Sequence, residues 1–161
     1  MNAYRLSSGE HRISHLEPHE LPAEYADWVL VPEGLPVPKP TSEEVNTERD
    51  RRTALGFKFN GAVFDFDIRA KTNISGASQM AFMAVMAGVQ EGNLRWHGGN
   101  EDFSWISQDN TAIPMDAQTV IKFGQKAANH ETAHVLKARA LKNMDPIPED
   151  YAEDKWWPKD E

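Results

Sequence analysis

Cysteine is absent from the 161 residues. That removes disulfides, thiolate nucleophiles and cysteine-ligated metal sites together. It also leaves the redox compartment unread, with synthesis in a cytoplasm as the default. No apolar run is long enough to cross a bilayer, and the opening MNAYRLSSGEHRISH is too polar for a signal peptide. No G-x-S-x-G segment frames a serine, so no nucleophile elbow is expected. Concentrated positive charge is missing as well. Residues 1–50 balance at −6, residues 51–144 at +3 and residues 145–161 at −5, for a net −8. A mildly basic middle between acidic ends argues against nucleic acid as the partner, since phosphate binding draws on clustered Lys and Arg. It suits contact with basic patches on another protein.

With 40% hydrophobic and 26% charged residues the chain is expected to fold, as one domain with room for arms. Six of its ten prolines fall in the first fifty residues. VPEGLPVPKP can sustain neither a helix nor a central strand and reads as an extended, partly polyproline segment. Just before it, EYADWVL offers the apolar anchors Tyr25, Trp28 and Leu30. TSEEVNTERDRRTAL reads as a short helix capped by Thr41 or Ser42, with Glu43 and Glu44 near its positive end.

Next comes GFKFNGAVFDFD, where Asn60-Gly61 sits between alternating apolar runs. That is a hairpin signal, because a type I′ turn needs positive φ at both central residues. A two-residue turn pairs Phe59 with Ala62 and Phe57 with Phe64. It sets four phenylalanines and Ala62 on one face, which must lie against other elements. Asp67 is placed to cap a helix running towards Gly92. The Met80, Met83 and Met86 stripe of that helix reads as core or subunit interface, and Gly76 as a weak point or a close contact. LRWHGGNEDFSWIS reads as a second hairpin, with Leu94 and Trp96 before the turn and Phe103 and Trp105 after it. No Lys-Ser/Thr follows the glycines, so a turn is preferred to a phosphate cradle. Asp116 is placed to cap a long helix ending near Met144.

That last helix carries HETAH at 130–134, which fits the H-E-x-x-H template of zinc peptidases. The template works because histidines at i and i+4 share a helix face while the glutamate activates a metal-bound water. No third ligand follows in VLKARALKNM, and Glu149 and Glu153 lie in an acidic tail. The expectation is a structural Glu-His face. A small zinc hydrolase using His130, Glu131 and His134 is kept as an alternative. His11, His15 and His19 are spaced by four, but Pro18 interrupts any helix that would align them. Asp65 and Asp67 read as a strand-end charge and a helix cap.

The ordered set Gly56-Phe57-Lys58-Phe59-Asn60-Gly61, Asp65, Asp67, NISGA at 73–77, Trp105, Asp109-Asn110 and MDAQTVIKFGQKAANH from Met115 resembles the "domain of unknown function 4376" family of tailed-phage and prophage proteins. The resemblance spans about residues 48–144, and phage relatives often carry a Pro-rich lead-in. It implies a bacteriophage setting among tail and tail-fibre components, with no catalytic residues to carry over.

The resulting expectation is an α+β fold: an aromatic hairpin, a small-residue helix, a second short strand pair and a long C-terminal helix, with extended arms. Residues 1–50 form the acidic Pro-rich arm with a short helix near its end, 51–144 the phage-type domain, and 145–161 an acidic tail. Tyr151, Trp156, Trp157 and Trp28 are the candidate partner-binding residues. The tryptophan pair in the tail either docks in a partner's groove or packs back onto its own domain. The expected role is a non-enzymatic virion tail protein, made in the host cytoplasm, that joins or decorates fibre components and needs no cofactor. Its expected partners are other tail or fibre proteins and a second copy of itself in a homo-oligomer, without nucleic acid or membrane. A fibre-assembly factor that leaves before maturation is the alternative.

Overall fold

The computed structural model describes residues 1–6, 8–26, 28–31 and 39–159, which divide into two compact units, 1–39 and 40–161. Of the expected polyproline stretch at 31–40, residues 32–38 lie outside the described residues.

The first unit is a small antiparallel sheet. Strands β1 (Asn2–Arg5), β2 (His11–Ser14) and β3 (Val29–Leu30) run in the order β2-β1-β3. Tyr4 pairs with Arg12 on one side and Leu30 on the other. It is fully buried, and its hydroxyl donates to the Leu16 carbonyl at 2.6 Å. The extended arm expected here is therefore replaced by a sheet across residues 2–30. Pro18 and Pro22 do not prevent it because they sit between strands. Pro18 opens a single 3-10 turn, and Pro22 precedes a second at Ala23–Tyr25.

The second unit is the α+β body. Helix α1 (Ser42–Ala54) starts from a capping box. Thr41 accepts from the Glu44 amide at 3.2 Å, and the Glu44 carboxylate accepts from the Thr41 amide at 2.7 Å. This helix packs on the C-terminal helix, so the division between units falls after Lys39, ahead of the boundary expected near residue 50.

Strands β4 (Phe57–Phe59) and β5 (Ala62–Phe64) form the Asn-Gly hairpin in the expected register, Phe57 opposite Phe64 and Phe59 opposite Ala62. Asn60 and Gly61 take φ of 48° and 83°, as a type I′ turn requires. Gly56 enters the hairpin at φ 97°, and a Cβ there would collide with the Phe64 carbonyl.

Helix α2 (Ile68–Met86) begins at Asp67, whose carboxylate accepts from the Ala70 amide at 2.7 Å. It stops short of the expected Gly92. Gly88 turns left-handed at φ 95°, and the Val89 and Gly88 amides reach back to the Ala84 and Val85 carbonyls in a Schellman ending.

The second hairpin is built differently from the one expected. Residues 94–97 are turns, and the strands are β6 (Ser104–Ile106) and β7 (Ala112–Pro114), with Trp105 opposite Ile113. Asp109 and Asn110 make the connection: Asp109 accepts from the Ser107 hydroxyl at 2.5 Å and the Thr111 amide at 3.1 Å, and Asn110 sits at φ 65°. A polar Asx-type turn thus outcompetes the Gly-Gly-Asn segment, which makes an irregular loop. Gln108 ties the two hairpins together, its amide donating to the Val63 carbonyl at 2.8 Å.

Helix α3 (Ala117–Lys142) is the longest element. Its cap, Asp116, accepts from the Thr119 amide at 2.8 Å and the Gly92 amide at 2.7 Å, pinning the loop after α2 to the start of α3. Burial opposes ionisation of Asp116, but these hydrogen bonds prevail and hold its carboxyl below the ordinary carboxylate range.

Two apolar clusters pack against this one helix. The larger gathers Phe57, Phe64, Phe66, Ile74, Trp96 and Met115 around Val120 and Phe123. The smaller joins Val45 of α1 to Ala138 and Leu141 of α3 and to Trp157 of the tail. The tail is therefore part of the fold: Trp157 is 3% exposed, and its indole N–H donates to the Tyr151 carbonyl at 2.7 Å.

Truncating Trp157 removes the largest side chain of the smaller cluster. Trp157→Ala is expected to cost about 3–5 kcal/mol in chemical denaturation, with a smaller loss for half-buried Trp156. A freely mobile tail would give no change for either.

Candidate functional site

The H-E-x-x-H residues lie on the middle turns of α3, between the two clusters. His130 packs on Phe57 and Phe66 of the larger cluster, with ring centroids 5.9 and 5.3 Å away. Its Nε2 bonds to the Thr53 carbonyl of α1 at 3.1 Å. One turn on, His134 is 4% exposed and stacks on Trp157 of the smaller cluster at 6.3 Å. Its Nδ1 bonds to the His130 carbonyl at 2.8 Å. The two imidazoles are 4.5 Å apart and form a continuous bridge from one cluster to the other.

Glu131 points elsewhere. It is half-exposed and accepts from Lys71 of α2 at 2.5 Å, while the Lys71 ammonium also lies 4.8 Å over the Phe66 ring. A glutamate near an apolar face needs a partner, and Lys71 supplies it. The cleft beside the histidines, about 200 Å³, is lined by Lys58, Lys126 and Lys159. Three ammonium groups oppose a divalent cation there. Among the described residues, no three His, Asp or Glu side chains come together as a metal site.

The four residues expected to bind a partner each make contacts within the chain. Trp28 lies 4.6 Å from Tyr25 and 5.8 Å from Tyr4, inside the first unit. Trp156 donates to Asp150 at 2.9 Å, and Lys155 pairs with the same carboxylate. Those contacts, Lys155 first, lower the Asp150 pKa. Tyr151 packs beside Trp157, and its phenol is pushed up by burial and then by the charges of Glu44 and Glu48.

Arg52 of α1 holds the tail down. It donates to the Ala152 carbonyl at 2.7 Å, pairs with Asp154 at 2.8 Å and lies 5.4 Å over the Trp157 ring. Glu48 fixes Arg52 at 2.6 Å, and its own pKa is lowered, chiefly by its hydrogen bond from Arg51. The sequence pattern carries no sign of Arg52's role, because its partners lie about a hundred residues away.

An open surface is found instead along α2 and α3. A groove of about 660 Å³ runs between them, with Ser75, Phe82 and Met83 on one wall and Ile121, Gly124 and Gln125 on the other. Met80, Met83 and Met86 are 50%, 63% and 73% exposed, so the methionine stripe is surface and not core. At the floor the helices approach closely: a Cβ at Gly124 would run into the Ser78 side chain. The methionine spacing marks one face of α2 as core or interface without fixing which, and neither Phe82 nor the α3 wall shows a long apolar period.

The family model described as "Domain of unknown function (DUF4376)" matches residues 37–155. The chain belongs to this family. The DUF4376 match takes in α1, both hairpins, α2, α3 and the tail as far as Lys155, with Trp156 and Trp157 just beyond it. No curated protein and no solved structure matches the chain.

If the histidines serve the fold, stability and not activity reports their loss. His134→Ala is expected to cost about 2–4 kcal/mol as a cavity between packed rings. Glu131→Gln breaks only a half-exposed ion pair and should cost less than about 1 kcal/mol. Equal stability of both variants in urea unfolding would contradict this assignment.

Proposed function

We propose that this DUF4376 protein is a non-enzymatic structural protein of a bacteriophage tail, joining or decorating tail and fibre components through protein contacts. The observation that carries the non-enzymatic part is the division of labour on α3. The histidines that mimic a zinc peptidase are engaged in packing and the glutamate in an ion pair with Lys71, while the adjoining α2–α3 surface presents an open apolar groove. Apolar grooves rimmed by polar residues are characteristic of protein-binding sites. The tail setting comes from the sequence resemblance to tailed-phage proteins. The means of joining shifts from that first expected: with the N-terminal segment in a sheet and the tryptophan tail docked in cis, the α2–α3 face takes the role assigned to the arms.

Quantitative mass spectrometry of purified, disrupted particles of the encoding phage tests this reading, normalised to a tail component of known copy number. A fixed copy number matching the tail symmetry is the expected result. Abundance in infected cells with absence from mature particles would overturn it in favour of an assembly factor.

A further inference from the structure

We infer that the exposed face of α2 is a self-association surface, on which a second copy of this chain packs its own α2 antiparallel about a two-fold axis. The inference names the face and the partner within the reading above, and rests on its claim that the α2–α3 surface binds protein.

The first observation is electrical. Residues 72–90 contain no ionisable side chain, although the chain as a whole is 26% charged. A surface helix facing water normally carries charge on its outer side. Two copies of a chain with net charge −8 repel one another overall, and a face without charge adds nothing to that repulsion. This face is neutral, so it can meet itself.

The second observation is the pattern. Ile68, Thr72, Ser75, Gln79, Phe82 and Met86 follow a 4-3-4-3-4 spacing, and all six are exposed. That is the seam spacing of paired helices. Its apolar members lie at the two ends, Ile68 at one and Phe82 with Met86 at the other, at 81%, 58% and 73% exposure. An antiparallel partner brings the Phe82 end of one copy to the Ile68 end of the other and matches the polar centre, Ser75 and Gln79, with itself. A parallel partner would instead leave Phe82 against Phe82 and Ile68 against Ile68, with like charges adjacent.

Those charges are the third observation. Arg69 and Lys71 stand in the first turn of α2, and no basic residue stands in its last turn. This is the unfavourable arrangement for a helix's own dipole. Across an antiparallel pair, each Arg69 lies near the partner's carbonyl end, where positive charge is stabilising. Gly76 also acquires a reason. A Cβ there would meet nothing within 4 Å, so no contact within the chain calls for glycine at an exposed mid-helix position. Glycine there costs about 1 kcal/mol relative to alanine, and it permits close approach of a second helix near the two-fold.

The test uses the full chain in solution. Light scattering on a size-exclusion column should give twice the monomer mass, and Phe82→Glu should return it to the monomer with unchanged circular dichroism. The absence of native cysteine allows orientation to be read separately. Gly76→Cys lies close to the helix midpoint and should cross-link to its counterpart under mild oxidation. Ile68→Cys should not, since antiparallel packing separates the two copies of residue 68 by about 27 Å at 1.5 Å rise per residue. A monomeric wild-type chain, a dimer that survives Phe82→Glu, or cross-linking at residue 68 would each overturn the inference. A monomer would leave the particle measurement untouched, so the two readings fail independently.

Discussion

Helix α3 is the shared wall of two apolar clusters, and the placement of the other elements in the second unit follows from that sharing. At 26 residues it is about 39 Å long, enough for its first half to receive the phenylalanine hairpin, α2 and the tryptophan loop. Its second half receives α1 and the C-terminal tail. Because one rigid rod serves both, the clusters cannot shift independently. The turn holding His130 and His134 is where they meet, each ring belonging to one cluster and touching the other. Imidazole suits such a seam: it packs flat against aromatic rings and still hydrogen-bonds the carbonyls beside it. The Thr53 carbonyl at the end of α1 has its partner in His130, so the same ring fixes where α1 stops relative to α3.

The likeness of HETAH to a zinc motif thus arises from a different demand on the same spacing. Residues at i and i+4 share a helix face whether that face binds a metal or joins two hydrophobic clusters. What separates the cases is the third direction. In a metal site the glutamate and a further ligand converge on the space between the histidines, whereas here Glu131 turns to Lys71 on α2 and lysines line the neighbouring cleft.

Legibility in the sequence followed the range of the interactions. The Asn-Gly hairpin, the Thr41, Asp67 and Asp116 caps and the long last helix all depend on contacts a few residues apart, and each stands where the residues indicated. The pairing of β6 is not legible locally because Trp96 and Trp105 both look like strand residues. Yet Trp96 is held by its indole N–H on the Met115 carbonyl, nineteen residues on, and not by a ladder. The sheet in residues 2–30 was hidden by four-residue strands of polar composition, and its third strand arrives from beyond two proline turns. The docking of Trp157 turns on Val45, Arg52 and Leu141, three positions that no local pattern links to the tail. The open α2–α3 surface was only half visible. Its methionines were plain in the sequence, but whether they faced inward or outward depends on where α3 lies.

The central claim is that His130 and His134 join the two clusters by packing while Glu131 pairs with Lys71 at the surface, and zinc is the most direct probe of it. Isothermal titration of the full chain, purified without chelator and paired with thermal unfolding in zinc and in EDTA, reads binding and its consequence together. The account predicts no stoichiometric uptake and the same Tm in both buffers. One zinc per chain, with a Tm raised by zinc and with both effects lost in His134→Ala, would contradict it.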